Sequence, residues 1–327
     1  MIKNAHTFPF KFCIAMAATL LFTVNAFASN VKVTPLGSHD GEFCAADRAL
    51  VFEDPDGTRI LYDAGRTVRG GNDARLGKID GVLLSHVHGD HFGDIHQSAA
   101  NAGTCAAPEM TQRMTPSSVT EDVVLAKKAK LIVGGEMASF FSRRIKAAGG
   151  ADDQVKLVRY GGSLMLGGVR IASVQAAHSN GLDPRFLSGG HAEGLSSNGL
   201  TAYVGPAGGY VLTFSNGLAV YLSGDTGMMA DHDQVIRRFY RPKLAVMNIG
   251  GTFSTGPTEA AYVIDELVKP RTVIMSHANE ASSKDGLLQP GTRALQFKTT
   301  VKASTVVPLS GQTMEFDSHG ACVAGCR

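Results

Sequence analysis

The stretch "VLLSHVHGDHFGD", residues 82–94, ends an apolar run with three histidines and two aspartates. His86 and His88 are two residues apart on an extended segment, so their imidazoles lie on the same face. The glycine that follows lets the chain turn, which brings Asp90 and His91 next to the first pair. Imidazole and carboxylate groups in this pattern, directly after an apolar strand, predict a metal site at the end of that strand.

One loop cannot supply every ligand of two metal sites, so further ligands must come from elsewhere in the chain. His178 follows "IASVQAA", Asp225 follows "LAVYLSG" and His277 follows "RTVIMS". Each of these residues closes an apolar β-like run where a loop begins, and α/β folds commonly gather their sites at such strand ends. Taken singly, each could be an ordinary loop residue. Together with the first loop, they predict a cluster of seven metal ligands.

Short β-like runs alternate with helical runs along the chain. "NVKVTPLG", "ALVFED", "RILYDAG" and "DGVLLSH" predict strands at the start, and "KLAVMNIG", "GPTEAAYVIDELVK" and "RTVIMSH" predict a strand, a helix and a strand towards the end. A meander of strands lies between these two regions. Strands flanked by helices predict an α/β fold, a four-layer α/β/β/α sandwich. Because no Pro/Ser linker divides the chain, we expect one domain over residues 29–327 with a short cysteine-containing C-terminal tail.

Five motifs resemble those of the metallo-β-lactamase-fold hydrolase superfamily: "SHVHGDH", "AAHS", "SGDTG", "NIGGTFSTGPTEAA" and "MSHAN". The fourth motif makes the chain most similar to the branch of predicted metal-dependent hydrolases that includes ascorbate-6-phosphate lactonase. The resemblance covers residues 31–280 and implies the αβ/βα sandwich of that fold. It also implies two metal sites, with His86, His88 and His178 at one, Asp90, His91 and His277 at the other, and Asp225 as the bridge between them.

This ligand set predicts the chemistry of the site. Imidazoles and carboxylates suit Zn²⁺, with Mn²⁺ or Fe²⁺ as alternatives, because no thiolate ligand is evident. Two divalent metal ions can share a water and bring its pKa to about 7. We therefore predict an exported binuclear hydrolase that uses a metal-bridging hydroxide on a small-molecule lactone, other ester or phosphoester. Asp90 would orient this nucleophile and carry a proton to the leaving group.

Two other functions fit parts of the sequence. The first is a β-lactamase of the subgroup with no cysteine ligand, which export and His91 both fit. Those enzymes lack a bridging aspartate, so Asp225 counts against this function. The second is a non-hydrolytic iron or metal-binding protein of the same fold, which metal identity and turnover would distinguish from a hydrolase.

Substrate contacts are less strongly indicated than metal ligands. Asn279, His191 and Arg185 are the candidates, although a turn-capping asparagine, a solvated histidine and an exposed arginine are the alternatives. We also expect a largely apolar wall that includes Met228, Met229, Phe253 and the "LDPRFL" loop.

The glycines of "GGTFSTGPTEAA" suggest a phosphate loop, but the lysine that such a loop requires is absent. Gly256 as N-cap, Pro257 at the first helical position and Glu259 at the third indicate an ordinary helix start instead.

Residues 1–28 resemble a secretory signal peptide. Lys3 and Lys11 precede the apolar run "FCIAMAATLLFTV", and Ala26-Phe27-Ala28 provides a cleavage site after Ala28. An uncleaved anchor is the alternative, but the run is shorter than the ~20 residues of a membrane span. We therefore expect a periplasmic or secreted protein without a stable membrane span.

Cleavage of the signal peptide would remove Lys3 and Lys11. It would leave 29 of the 31 basic residues against 29 acidic ones, so nucleic acid is not an expected partner.

Cleavage would leave four cysteines in a compartment that permits disulfides. Of the three pairings that four cysteines allow, we predict Cys44–Cys105 and Cys322–Cys326, the latter because "CVAGC" closes a short loop containing glycine. Metal ligation and free buried thiols are the alternatives.

Overall fold

The computed structural model describes residues 1–2 and 29–327. Most of the predicted signal peptide, residues 3–28, therefore lies outside the described residues. Within the described ranges, no helix is both long and apolar enough to cross a membrane.

Two large β-sheets form the centre of the fold. The first has eight strands in the order β21-β20-β1-β2-β3-β4-β7-β8, and the second has seven in the order β19-β16-β15-β14-β13-β10-β9. Numbered along the chain, the strands of the first sheet are β1 Val31–Pro35, β2 Leu50–Glu53, β3 Arg59–Tyr62, β4 Gly81–Leu83, β7 Lys130–Val133, β8 Val155–Leu157, β20 Met314–Phe316 and β21 Cys322–Ala324. Those of the second sheet are β9 Ser163–Leu166, β10 Val169–Gln175, β13 Gly208–Thr213, β14 Ala219–Leu222, β15 Leu244–Asn248, β16 Thr272–Ser276 and β19 Ser304–Val306.

Within residues 29–327, three small antiparallel hairpins lie outside these sheets. They are formed by β5 Ile95–Gln97 with β6 Met110–Arg113, by β11 Gly181–Leu182 with β12 Ala202–Tyr203, and by β17 Ser283–Lys284 with β18 Leu287–Leu288. The α-helices are α1 Gly89–Phe92, α2 Val119–Lys127, α3 Met137–Ala147, α4 Gly190–Ser197, α5 Pro257–Tyr262 and α6 Arg293–Thr300. A 3₁₀ turn covers Pro184–Phe186, and π-helical segments cover His232–Tyr240 and Val263–Val268.

Local sequence signals explain where two of the helices begin. Ser118 caps α2 by accepting a hydrogen bond from the Glu121 N–H, and its hydroxyl donates to the Glu121 carboxylate. The predicted start of α5 is confirmed, with Gly256 as N-cap and Pro257 at the first helical position.

The strands alternate their side chains between two faces, and this alternation builds the layers. In β3, Ile60 joins the core between the two sheets, whereas Leu61 faces the core under the helices. In β15, Val246 joins the central core, whereas Met247 packs into a third cluster. Helices α2 and α3 cover the first sheet, and α5 and α6 cover the second. The predicted four-layer α/β/β/α sandwich is confirmed.

The C-terminal tail has a structural role beyond the predicted one. Strand β21 pairs with β20, so the tail adds the outermost strand of the first sheet. Both predicted disulfides are present, Cys44–Cys105 and Cys322–Cys326.

Candidate metal centre

The topology brings the predicted ligands to one edge of the molecule. Strands β14, β15 and β16 run parallel, and β10 runs in the same direction because two antiparallel pairings separate it from β14. The loops after β10, β14 and β16 therefore leave from the same edge of the second sheet, and they carry His178, Asp225 and His277. The loop after β4 of the first sheet meets them with its own ligands.

All seven predicted ligands belong to groups whose ligand atoms lie within 4.8 Å of one another. The first triad consists of His86, His88 and His178. The second triad consists of Asp90, His91 and His277. A third group joins His86 and His91 to Asp225. The two triads share no residue, and they have the membership that the family resemblance implied.

Asp225 lies between the two triads. Its Oδ1 is 3.2 Å from the His91 Nε2, and its Oδ2 is 3.1 Å from the His277 Nε2 and 3.8 Å from the His178 Nε2. One carboxylate thus approaches histidines of both groups, which is the geometry that a bridging ligand needs.

Several buried polar atoms of this cluster lack a hydrogen-bond partner within the described part of the chain. They include Nε2 of His86, Nε2 of His91 and Oδ1 of Asp225. Leaving a buried polar atom unsatisfied costs about 1–3 kcal/mol, so native structures rarely retain several in one place. Neighbouring nitrogen and oxygen lone pairs suit a metal cation. The residues present therefore fit the metal site that the sequence predicts.

The electrostatics favour the protonation states that ligands need at five of the seven residues. At His91, burial favours the neutral imidazole, but the carboxylates of Asp225, Asp90 and Asp63 raise its pKa well above the usual value. Burial lowers the pKa of His86 well below its usual value, and it also lowers the pKa values of His88 and His178, which favours neutral imidazoles. Burial opposes ionisation of Asp225 and Asp90. The neighbouring histidines outweigh that effect and hold both carboxyl pKa values well below their usual range.

A buried carboxylate that sequence reasoning missed supports the ligands. Asp63 accepts a hydrogen bond from the His91 Nδ1 at 2.8 Å, which leaves the His91 Nε2 for the cluster. Asp63 also accepts the Ser85 hydroxyl at 2.8 Å, and that hydroxyl is 2.9 Å from the His86 Nδ1. Asp63 directly follows β3, so the strand-end criterion that selected Asp225 would have selected it too.

Sequence reasoning also missed Arg48, whose buried guanidinium lies against the second triad. It donates to the Asp90 Oδ2 from Nε at 3.4 Å and from Nη2 at 3.3 Å, and Nη2 also donates to the Asn279 Oδ1. Asn279 therefore lies beside the candidate metal ligands, and its predicted contact with substrate stays a prediction. In this structure its side-chain oxygen faces an arginine.

Two glycines next to the cluster are closely packed. A Cβ on Gly250 would lie 2.8 Å from the His277 Nδ1, so the "NIGG" motif leaves room for that imidazole. A Cβ on Gly89 would lie 2.6 Å from the Asp94 carboxylate. Gly89 was expected to supply a turn, but it begins α1, and the left-handed residue of this segment is Gly93, with φ of 82°. The conformational reason given for Gly89 was therefore wrong.

A cavity of about 370 Å³ opens beside the first triad. His88, Ser179 and Arg185 line it together with Asp94, Asp183 and Phe186, so the "LDPRFL" loop does form part of its wall. Met228 and Phe253 are exposed and are not among its lining residues, so the predicted apolar wall is not formed there.

His191, the remaining predicted substrate contact, lies in α4. It lines a different cavity, of about 540 Å³, together with Phe140 and Arg143. None of the seven clustered ligands lines that cavity. The structure therefore does not place His191 at the candidate metal centre, because α4 directs it towards α3 instead.

Known proteins resemble this chain over most of its length. The family model described as "Beta-lactamase superfamily domain" matches residues 58–278. A UPF0173 metal-dependent hydrolase of Polynucleobacter asymbioticus is 30% identical, covering 80% of this chain and 81% of the relative. One of Cupriavidus necator is 29% identical, covering 74% of this chain and 71% of the relative. The solved structure of Igni18, a metallo hydrolase from Ignicoccus hospitalis, superposes with a TM-score of 0.59 at 22% identity, covering 88% and 99% of the two chains.

The chain thus belongs to the β-lactamase superfamily and has the metallo-β-lactamase fold. Within that superfamily it is a metal-dependent hydrolase.

Proposed function

We propose that this hydrolase holds two divalent cations and cleaves a small lactone, another ester or a phosphoester. The observation that carries the proposal is the pair of triads joined by Asp225. Seven ligand side chains exceed what one tetrahedral ion uses. Two cations held by these groups would supply a water nucleophile at neutral pH and a Lewis acid for the substrate oxygen.

The two carboxylates of the cluster have different surroundings and therefore different roles. The Asp225 side chain is 5% exposed, whereas that of Asp90 is 30% exposed. A buried carboxylate between the triads suits a bridging ligand. Asp90 is the one that substrate and solvent can reach, so it orients the attacking water and carries a proton to the leaving group.

The charges around the 370 Å³ cavity support a neutral or singly charged substrate. Arg185 is 2.8 Å from Asp183 and 3.7 Å from Asp94, and Arg66 forms a bidentate pair with Asp94. Two arginines therefore face two aspartates, so apart from the proposed metal ions these side chains leave no net charge to attract a polyanion. Half-exposed Arg185 can exchange its partner for one anionic group of a substrate.

β-Lactam hydrolysis is a weaker candidate activity. The described part of the cluster contains the central Asp225, whereas the β-lactamase subgroup with no cysteine ligand lacks a bridging aspartate. Both cysteine pairs of the described chain form disulfides, so no thiolate is available to a metal.

Zn²⁺ is the metal that this nitrogen and oxygen donor set suits best, with Mn²⁺ and Fe²⁺ as alternatives. Two disulfides also agree with a periplasmic or secreted location.

Elemental analysis and a substrate panel test the proposal together. Reconstituted protein, expressed without residues 1–28, should bind close to two transition-metal ions per chain. The same preparation should then be compared on lactones, phosphodiesters and β-lactams by kcat/KM. At most one bound ion would contradict the binuclear site, and a β-lactam preferred by a factor of ten, about 1.4 kcal/mol, would reverse the order of substrates.

A further inference from the structure

We propose that Arg48 is the positioning residue of the second triad and that the Cys44–Cys105 disulfide fixes the loop that holds Arg48 in place. The inference rests on the proposed binuclear site. It assigns a function to two features that the ligand set does not include, a buried arginine and a disulfide on an adjacent loop.

The guanidinium of Arg48 uses all of its donors inside the protein. Its five N–H groups meet five acceptor contacts: two on the Asp90 Oδ2, one on the Asn279 Oδ1, and one each on the backbone carbonyls of Ala45 and Asp47, at 3.1 and 3.0 Å. The side chain is only 4% exposed. No donor remains for a substrate, so Arg48 acts through the groups it holds.

Those groups come from opposite halves of the sandwich. Asp90 lies in α1, which follows β4 of the first sheet, and Asn279 lies just after β16 of the second sheet. The second triad spans the same boundary, because His277 Nε2 is 3.2 Å from the Asp90 Oδ2. The planar fork of an arginine can hold both partners at once, which the single ammonium of a lysine cannot do in the same geometry.

The loop before Arg48 is held by the disulfide and by hydrogen bonds around it. Cys44 is bonded to Cys105, which lies between β5 and β6. The Ala45 N–H donates to the Cys105 carbonyl at 3.0 Å, and the Cys44 N–H donates to the Asp47 carboxylate at 2.9 Å. Ala45 and Asp47 are the two residues whose carbonyls accept from Arg48. The disulfide thus restrains the acceptors that orient the guanidinium.

The first experiment replaces the arginine. Arg48→Lys should weaken binding of one of the two Zn²⁺ ions by about 10- to 100-fold, the range typical of groups that orient ligands, while the other ion stays bound. Zn²⁺ titration with a competing chelator measures both affinities, and the melting temperature of the chelator-treated protein reports the fold. Arg59→Lys is the matched control, because Arg59 also binds a carboxylate and backbone carbonyls but begins β3, at the opposite end from Asp63.

The second experiment removes the disulfides in matched pairs. Cys44→Ser/Cys105→Ser should weaken the same ion about tenfold, whereas Cys322→Ser/Cys326→Ser should leave both affinities unchanged. Combined with Arg48→Lys, loss of the first disulfide should add little further loss, because both changes act on one unit.

Three outcomes separate the possible failures. Wild-type protein that binds fewer than two ions would overturn the proposed function itself. Wild-type protein with two ions, and Arg48→Lys with unchanged affinities, would overturn only the role of Arg48. Additive losses from the two changes would break the connection between the disulfide and the arginine. If Arg48→Lys fails to fold, Asn279→Ala removes the other side-chain partner of the guanidinium. The Zn²⁺ affinities of that variant then test whether the contact between Arg48 and Asn279 supports the second triad.

Discussion

The two triads are supported by the protein in different ways. In the second triad, His91 is held by Asp63 and Asp90 by Arg48, and both supporting side chains are buried. In the first triad, His88 and His178 are partly exposed and lie 3.2 Å apart through ring nitrogens, and His88 lines the 370 Å³ cavity. A ligand set with fixed side chains binds a cation tightly, whereas an open one leaves room for substrate. We infer that the second triad binds its ion more tightly, while the first triad meets the cavity through His88 and the second meets solvent through Asp90.

The largest effect is expected from Asp225, the residue that lies between the two triads. Asp225→Ala removes the carboxylate that approaches histidines of both triads, so metal content and turnover should fall together, with turnover reduced at least ~1,000-fold. Elemental analysis and kcat on one preparation test this, with circular dichroism as the check on folding. Full metal content and turnover in a folded variant would show that the two triads do not depend on a common ligand.

A smaller loss is expected at the exposed carboxylate of the second triad. Asp90→Asn keeps the shape but cannot accept a proton, so kcat should fall by at least ~100-fold, the usual contribution of an acid–base group. Single-turnover kinetics on a metal-loaded sample measures the chemical step. Unchanged turnover would remove Asp90 from the mechanism and leave it a supporting group only.

The supporting carboxylate should matter more to metal binding than the supporting hydroxyl. Asp63→Ala leaves the His91 Nδ1 without its acceptor, and we expect about 10- to 100-fold weaker binding of the second-triad ion. Ser85→Ala, which removes the hydroxyl that contacts His86, is the paired variant and should have a smaller effect. Equal affinities in the two variants would contradict the difference in support between the triads.

The smallest effect is expected beside the first triad. Arg185→Gln removes a half-exposed charge at the cavity, so KM for an anionic ester should rise about 2- to 5-fold, as expected for a solvent-screened ion pair. Metal affinity should stay unchanged, because Arg185 contacts no ligand side chain of either triad in its described ion pairs. A change in metal affinity without a change in KM would show that this cavity serves the ions and not the substrate.

The sequence predicted which side chains come together better than it predicted the surroundings of that cluster. All seven clustered side chains lie at or just after the ends of apolar runs, so local pattern alone was enough to select them. Asp63 satisfies the same pattern and was overlooked. Arg48 could not be selected in this way, because it lies just before β2, and nothing local indicates that the fold will carry its side chain to a loop 42 residues further along the chain.

The sandwich was predictable because strand alternation and helical runs are local properties of the chain. Contacts made by loops were less predictable. The β5–β6 hairpin, which carries Cys105 between its strands, was not expected, and His191 and the apolar wall were placed at the centre only because they lie near motif residues in sequence. Proximity along the chain does not decide which way a loop or a short helix turns.

The pairing of β21 with β20 has a consequence for association between molecules. The outermost strand of an open sheet exposes unpaired N–H and C=O groups, which can add a strand from another molecule and begin aggregation. Here that strand is three residues long, Cys322–Ala324, and the Cys322–Cys326 disulfide turns the chain back directly after it. β8, at the other edge, is also three residues long and has Lys156 at its centre. Short, charged or covalently closed borders of this kind discourage edge-to-edge polymerisation of the first sheet.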